Sequence, residues 1–152
     1  MASTTQPKQE DCTCLAVRQA ARHITQFYDR YLTSAGLRTS QFSVLARLKR
    51  RGPMTINELA SQLVMDRTTL GRNILPLERE GLINIAPGRT DKRRRELQLT
   101  EAGEERYLAA RECWVAAQSR FEEIFGPERS VGLRSIMREV TTTELEAEPA
   151  SH

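Results

Sequence analysis

A mainly α-helical fold of the α+β class is what this sequence predicts, and three observations predict it. Along most of the 152 residues, apolar side chains recur at spacings of three and four, one stripe of a helix at a time. Only in two short runs, Ile83 with Ile85 and Leu97 with Leu99, does the spacing fall to two, as in half-buried strands. Capping and breaking residues stand between the segments: Thr39, Gly52-Pro53, Thr55, Asp66, Gly81, Thr100 and Gly126-Pro127. At this length the chain makes one compact unit.

Residues 1–10 are polar and uncapped and read as a loose tail. A helix over about 11–32 follows, with Ala20, Ile24, Phe27 and Tyr31 on one stripe and Ala21, Tyr28 and Leu32 beside it, a wider apolar face than a lone surface helix needs. Ser34-Ala35-Gly36 breaks it. Thr39 can cap a second helix reaching about Arg51, its apolar side formed by Phe42, Leu45 and Leu48, and Gly52-Pro53 stops it. Thr55 and Glu58 form a capping box, each able to satisfy the other's free amide. They open a short helix with Ile56, Leu59, Ala60 and Leu63 inward.

After a turn at Val64-Met65, Asp66 is the N-cap of the next helix. Leu70, Ile74 and Leu77 line its core side, while Arg67, Thr68, Thr69, Arg72 and Asn73 occupy the opposite face. Pro76 removes the amide that would bond the Arg72 carbonyl, which predicts a slight bend. Gly81 ends the helix in a left-handed conformation. The two strands enclose Pro87-Gly88 and a tip crowded with Arg89, Lys92, Arg93, Arg94 and Arg95. Thr100 caps a long helix over 101–125, with Ala102, Leu108, Ala109, Val115, Ala116 and Ile124 among its apolar positions. A last helix over about 128–145 carries Val131, Ile136, Met137 and Val140, and residues 148–152 form a second tail.

Charge is distributed more tellingly than its total. The net charge is only +3, with a pI of about 9.0. Arg38–Arg51 holds five bases and no acid, and Asp66–Arg95 holds eight bases against four acids, whereas acids dominate beyond Arg138. A basic middle between acidic ends suits a nucleic-acid face. Aromatic residues make up only 5% of the chain, so part of the apolar surface is expected to be buried against a second copy. No run approaches the ~18 apolar residues of a membrane span, and no apolar signal core opens the chain, which is therefore expected in the cytoplasm. The three cysteines are odd in number and lack zinc-like spacing, so neither a disulfide framework nor a metal site is implied. With no Gly-rich phosphate loop and only two histidines, no enzyme and no cofactor are expected.

A helix with base-reading side chains followed by a narrow cationic hairpin is a device for holding duplex DNA: the helix suits the major groove, the arginines the phosphates and the minor groove. The residues that build it resemble the MarR family of bacterial regulators. The resemblance is carried by L-A-x-x-L (Leu59 to Leu63), E-x-x-G-L-I (Glu78 to Ile83), and D-x-R (Asp91 to Arg93) joined to L-x-L-T-E-A-G (Leu97 to Gly103). It implies a winged helix-turn-helix lobe over 37–100 and a dimerisation lobe built from 11–33 and 101–147, within one domain spanning 11–147.

On this reading Arg67, Thr68, Thr69, Arg72 and Asn73 meet base edges or phosphates. Thr55 and Asn57 lie at a helix start whose free amides suit a phosphate. The resemblance sends Arg93 into the minor groove with Asp91 bracing its guanidinium, and leaves Arg89, Lys92 and Arg94 to phosphates. Arg95 goes either way, since strand alternation can turn it back. The family senses signals through a thiol or a small aromatic ligand. Cys14 lies where the organic-hydroperoxide-sensing branch keeps its reactive cysteine, with Arg18 one turn along and Cys12 as a resolving thiol. Thr39 and Phe42, however, replace the tyrosines that hydrogen-bond the thiol in that branch. For a phenolic or aromatic effector, His23, Phe27, Tyr28, Tyr31 and Trp114 are the candidate lining. The expected function is a homodimeric DNA-binding transcriptional regulator, a repressor by family habit, on a pseudo-palindromic operator. The alternative is a winged-helix module used for protein contacts.

Overall fold

The computed structural model describes residues 6–148; Met1–Thr5 and the last four residues, parts of the two expected tails, lie outside that range. Its elements are α1 (Thr13–Leu32), α2 (Thr39–Arg51), β1 (Met54–Thr55), α3 (Ile56–Leu63), α4 (Arg67–Arg79), β2 (Ile83–Pro87), β3 (Arg95–Leu99), α5 (Glu101–Phe125) and α6 (Pro127–Thr142). The mainly helical α+β class and the winged-helix order are those expected.

Several starts and stops are set by residues other than those the sequence suggests. The N-terminal tail is not wholly loose, because Gln9–Asp11 form a turn in which Asp11 Oδ2 accepts from Lys8 N at 3.0 Å. Cys12 then caps α1, its Sγ accepting from Leu15 N at 3.4 Å. Thr39 does not cap α2 with its own side chain. Asp29 of α1 reaches across instead, accepting from both Thr39 N and Thr39 Oγ1 at 2.7 Å, a cap supplied from a neighbouring helix. The last helix stops at Thr142 rather than near 145, leaving Leu145 80% exposed.

The sheet is antiparallel in the order β1-β3-β2. Ile83 pairs with Leu99 and Ile85 with Leu97 across the hairpin, while Met54 opposes Leu97 on the other side. β1 went unrecognised in the sequence because two residues carry no periodicity; only its partner strand defines it. The core lies under this sheet. Leu45, Leu59, Leu70, Leu77, Ile83 and Leu97 are at most 2% exposed and pack as one cluster, each worth about 1.5–3 kcal/mol of transfer free energy.

α5 carries one packed stripe and several exposed apolar residues. Gly103, Ala110 and Ala117 are buried, with Tyr107, Trp114 and Phe121 half-buried beside them, and this heptad-spaced stripe packs on its own chain. Leu108, Val115 and Ile124 face outward, joined by Val17 on α1 and Val131, Ile136, Met137 and Val140 on α6. These exposed apolar residues lie on the three helices assigned to dimerisation.

Candidate nucleic-acid interface

Asp66 holds the start of α4 by accepting from Thr69 N at 2.9 Å and from Thr69 Oγ1 at 2.6 Å. Those bonds pull the Asp66 carboxyl below the ordinary aspartate range. The other end is a Schellman motif: Leu82 N donates to Leu77 O at 2.9 Å, Gly81 N to Glu78 O at 3.0 Å, and Gly81 takes φ +73°. Leu70, Ile74 and Leu77 are buried, so the helix is anchored along one stripe and its polar face turns outward. Arg67, Thr68 and Arg72 are exposed. Thr69 is exposed too, but its hydroxyl serves the cap. Asn73 folds back half-buried, Nδ2 donating to Thr69 O at 3.3 Å.

The start of α3 is less open than expected. Thr55 Oγ1 accepts from Glu58 N at 3.2 Å, and Glu58 Oε2 accepts from Thr55 N at 2.8 Å. The Thr55 amide is therefore already taken, and a carboxylate sits at the dipole end that a phosphate would seek. Asn57 is exposed there.

At the wing, Arg89, Lys92, Arg93 and Arg95 are exposed. One expectation needs correcting. Asp91 does not brace the Arg93 guanidinium; its Oδ1 accepts from the Arg93 backbone N at 3.0 Å, an Asx turn that sets the main chain instead. Arg94 is exposed as well, but its guanidinium has carboxylate partners. It pairs with Glu58 of α3, and its Nε lies 3.6 Å from Glu96 Oε1.

A cavity of about 640 Å³ opens between α2 and the helices α1, α5 and α6. Tyr28 and Trp114 line it; His23 is exposed on α1, and Phe27 packs among Tyr28, Tyr31 and Phe121 without lining it. Phe42 stacks on Tyr107 at 5.7 Å and on Trp114 at 6.2 Å, making the aromatic wall. Burial pushes the Tyr28 phenol up, and its hydroxyl donates to Gln118 Oε1 at 2.5 Å. Four arginines, Arg47, Arg50, Arg134 and Arg138, reach the lining, and among the described residues no carboxylate does. Sequence reasoning missed all four. Their i,i+3 and i,i+4 spacings were visible, but nothing local says that α2 and α6 face one space. Cys12 and Cys14 are exposed, and Cys113 is half-buried with Sγ 3.3 Å from Ser34 Oγ.

Comparison with known proteins agrees with this geometry. The MarR family model matches residues 37–94. A Mycobacterium tuberculosis transcriptional regulator, MosR, solved in complex with DNA, is 32% identical, with 87% of this chain and 99% of that one covered at a TM-score of 0.70. The chain belongs to the MarR family. Other relatives of this MarR-family protein include the uncharacterised regulator YwoH of Bacillus subtilis, 37% identical over 60% of this chain and 66% of that protein. The regulator FarR of Neisseria gonorrhoeae is 28% identical over 80% and 82%. Both are named helix-turn-helix transcriptional regulators. Among the described residues no helix is long and apolar enough to cross a membrane.

Proposed function

We propose that the protein is a homodimeric transcriptional repressor that holds a pseudo-palindromic DNA site and is released when an aromatic ligand fills the cavity between its lobes. The observation that carries this reading is the placement of α4 and the wing. A helix anchored by Leu70, Ile74 and Leu77 offers Arg67, Thr68 and Arg72 to solvent, followed by a hairpin with Arg89, Lys92 and Arg93 at its tip. The DNA-bound relative supports the same assignment. The exposed apolar residues of α1, α5 and α6 suit a second copy, and two-fold protein meets two-fold DNA with half-sites about one helical turn apart.

The cavity supplies the control. It draws on α2 from the DNA lobe and on α1, α5 and α6 from the dimerisation lobe, so an occupant biases how the lobes are spaced. Arg134 is paired with Glu122 at 3.0 Å, and the aromatic wall with Arg47, Arg50 and Arg138 favours a planar anion. A gel shift on duplex from the protein's own upstream region, with and without phenolic acids and peroxide, tests the reading. Retardation relieved by an aromatic acid is the expected result; no retardation at low salt sinks it. Peroxide relief that survives Cys14→Ser counts against a thiol switch. A protein-contact module would bind random duplex weakly and without a steep salt dependence.

A further inference from the structure

Arg94 stands among the wing cations, yet it faces away from them in function. Glu58 divides its two oxygens: Oε2 accepts from Thr55 N at 2.8 Å to close the cap of α3, and Oε1 takes the Arg94 guanidinium. The backbone of Arg94 is tied as well, its carbonyl accepting from Gly88 N at 2.8 Å and its N donating to Asp91 O at 3.1 Å. The turn is tight: a Cβ on Gly88 would stand 2.6 Å from Asp91 O and 3.0 Å from Glu96 Oε1. We propose that Arg94 is a positioning residue, not a phosphate contact: with Glu58 it fastens the wing to the start of α3, so that hairpin and helix-turn-helix meet DNA as one rigid surface. The cap bond and the Arg94 guanidinium both draw the Glu58 carboxyl below the usual glutamate range, in keeping with an occupied ion pair.

The proposal rests on the DNA-binding reading, and it inverts a simple electrostatic expectation. Removing a carboxylate from a phosphate-facing surface ought to tighten binding; removing this one should weaken it. Glu58→Gln is the clean variant, because glutamine still closes a capping box while losing the charge. Arg94→Gln is its partner. Hydrogen exchange at the Gly88 and Arg94 amides of the free full-length protein reads the fastening without any DNA, so it stays informative should operator binding fail. Each variant is expected to speed that exchange about fivefold, the scale of an exposed ion pair. Binding to a fixed duplex should weaken by a similar factor in each, the double variant being no worse than either single one. The salt slope should stay that of the parent, whereas loss of a true phosphate contact shallows it by about one. Unchanged exchange, tighter binding by Glu58→Gln, or a shallower slope for Arg94→Gln overturns the assignment.

Discussion

Replacing Gly103 with alanine should damage this protein, although alanine is the better helix former. Gly103 lies in the first turn of α5, where a Cβ would stand 1.9 Å from the Leu82 carbonyl oxygen and 3.2 Å from Leu99 Cδ2. Ordinary contact begins at 3.4 Å, so the helix start must retreat from β2 by more than an ångström. The joint it would leave is closely bonded. Thr100 N donates to that same Leu82 carbonyl at 3.1 Å, Gly103 N to Thr100 Oγ1 at 3.0 Å, and Thr100 Oγ1 to Gly81 O at 2.5 Å. Overpacking costs about 1–3 kcal/mol, and each strained neutral hydrogen bond about 0.5–1.5 kcal/mol. Helix propensity returns at most ~1 kcal/mol. Net destabilisation should therefore be about 2–4 kcal/mol. Urea unfolding at fixed protein concentration measures it, because dimer stability varies with concentration. Gly71→Ala is the control: nothing lies within 4 Å of its added Cβ, and it should stabilise by ~0.8–1 kcal/mol. A Gly103→Ala protein as stable as its parent would refute the reasoning.

Three further outcomes are expected. Arg93→Ala should weaken operator binding by about tenfold or more, whereas Lys92→Ala should mainly shallow the salt slope by about one; parental binding by Arg93→Ala in a gel-shift series removes the wing assignment. Val64 ends α3 with φ +52° while 71% exposed, so Val64→Asn should stabilise by ~1 kcal/mol in the same urea assay, relieving a left-handed β-branched residue. Asp66 has a depressed folded pKa, so its contribution is complete above the ordinary aspartate value of 3.8 and drains away as pH falls through the lower folded value. Asp66→Asn should flatten that acid dependence in thermal melts below pH 4, roughly, and an unchanged profile would show that the cap does not titrate as described.

Local chemistry sufficed for most of the fold. Asp66, Thr100 and the Thr55-Glu58 box cap where their side chains reach amides within three residues, and Gly81 stops α4 because its φ is a property of one residue. Such signals act over one helical turn, so they can be read along the chain. A few departures are local, such as Cys12 capping α1 and Asp91 bonding the Arg93 amide, but the others involve partners farther apart in sequence. Asp29 reaches Thr39 because α1 and α2 pack side by side, Met54 becomes a strand because Leu97 lies opposite, and Arg94 finds Glu58 across the wing. The cavity is the extreme case, since Arg47 and Arg134 share it only because α2 and α6 both pack on α5. The sequence by itself determined most of the elements, several of their caps and the polar face that α4 turns to solvent. Only the tertiary structure decided which cations stay free, because that depends on which carboxylates folding brings within reach.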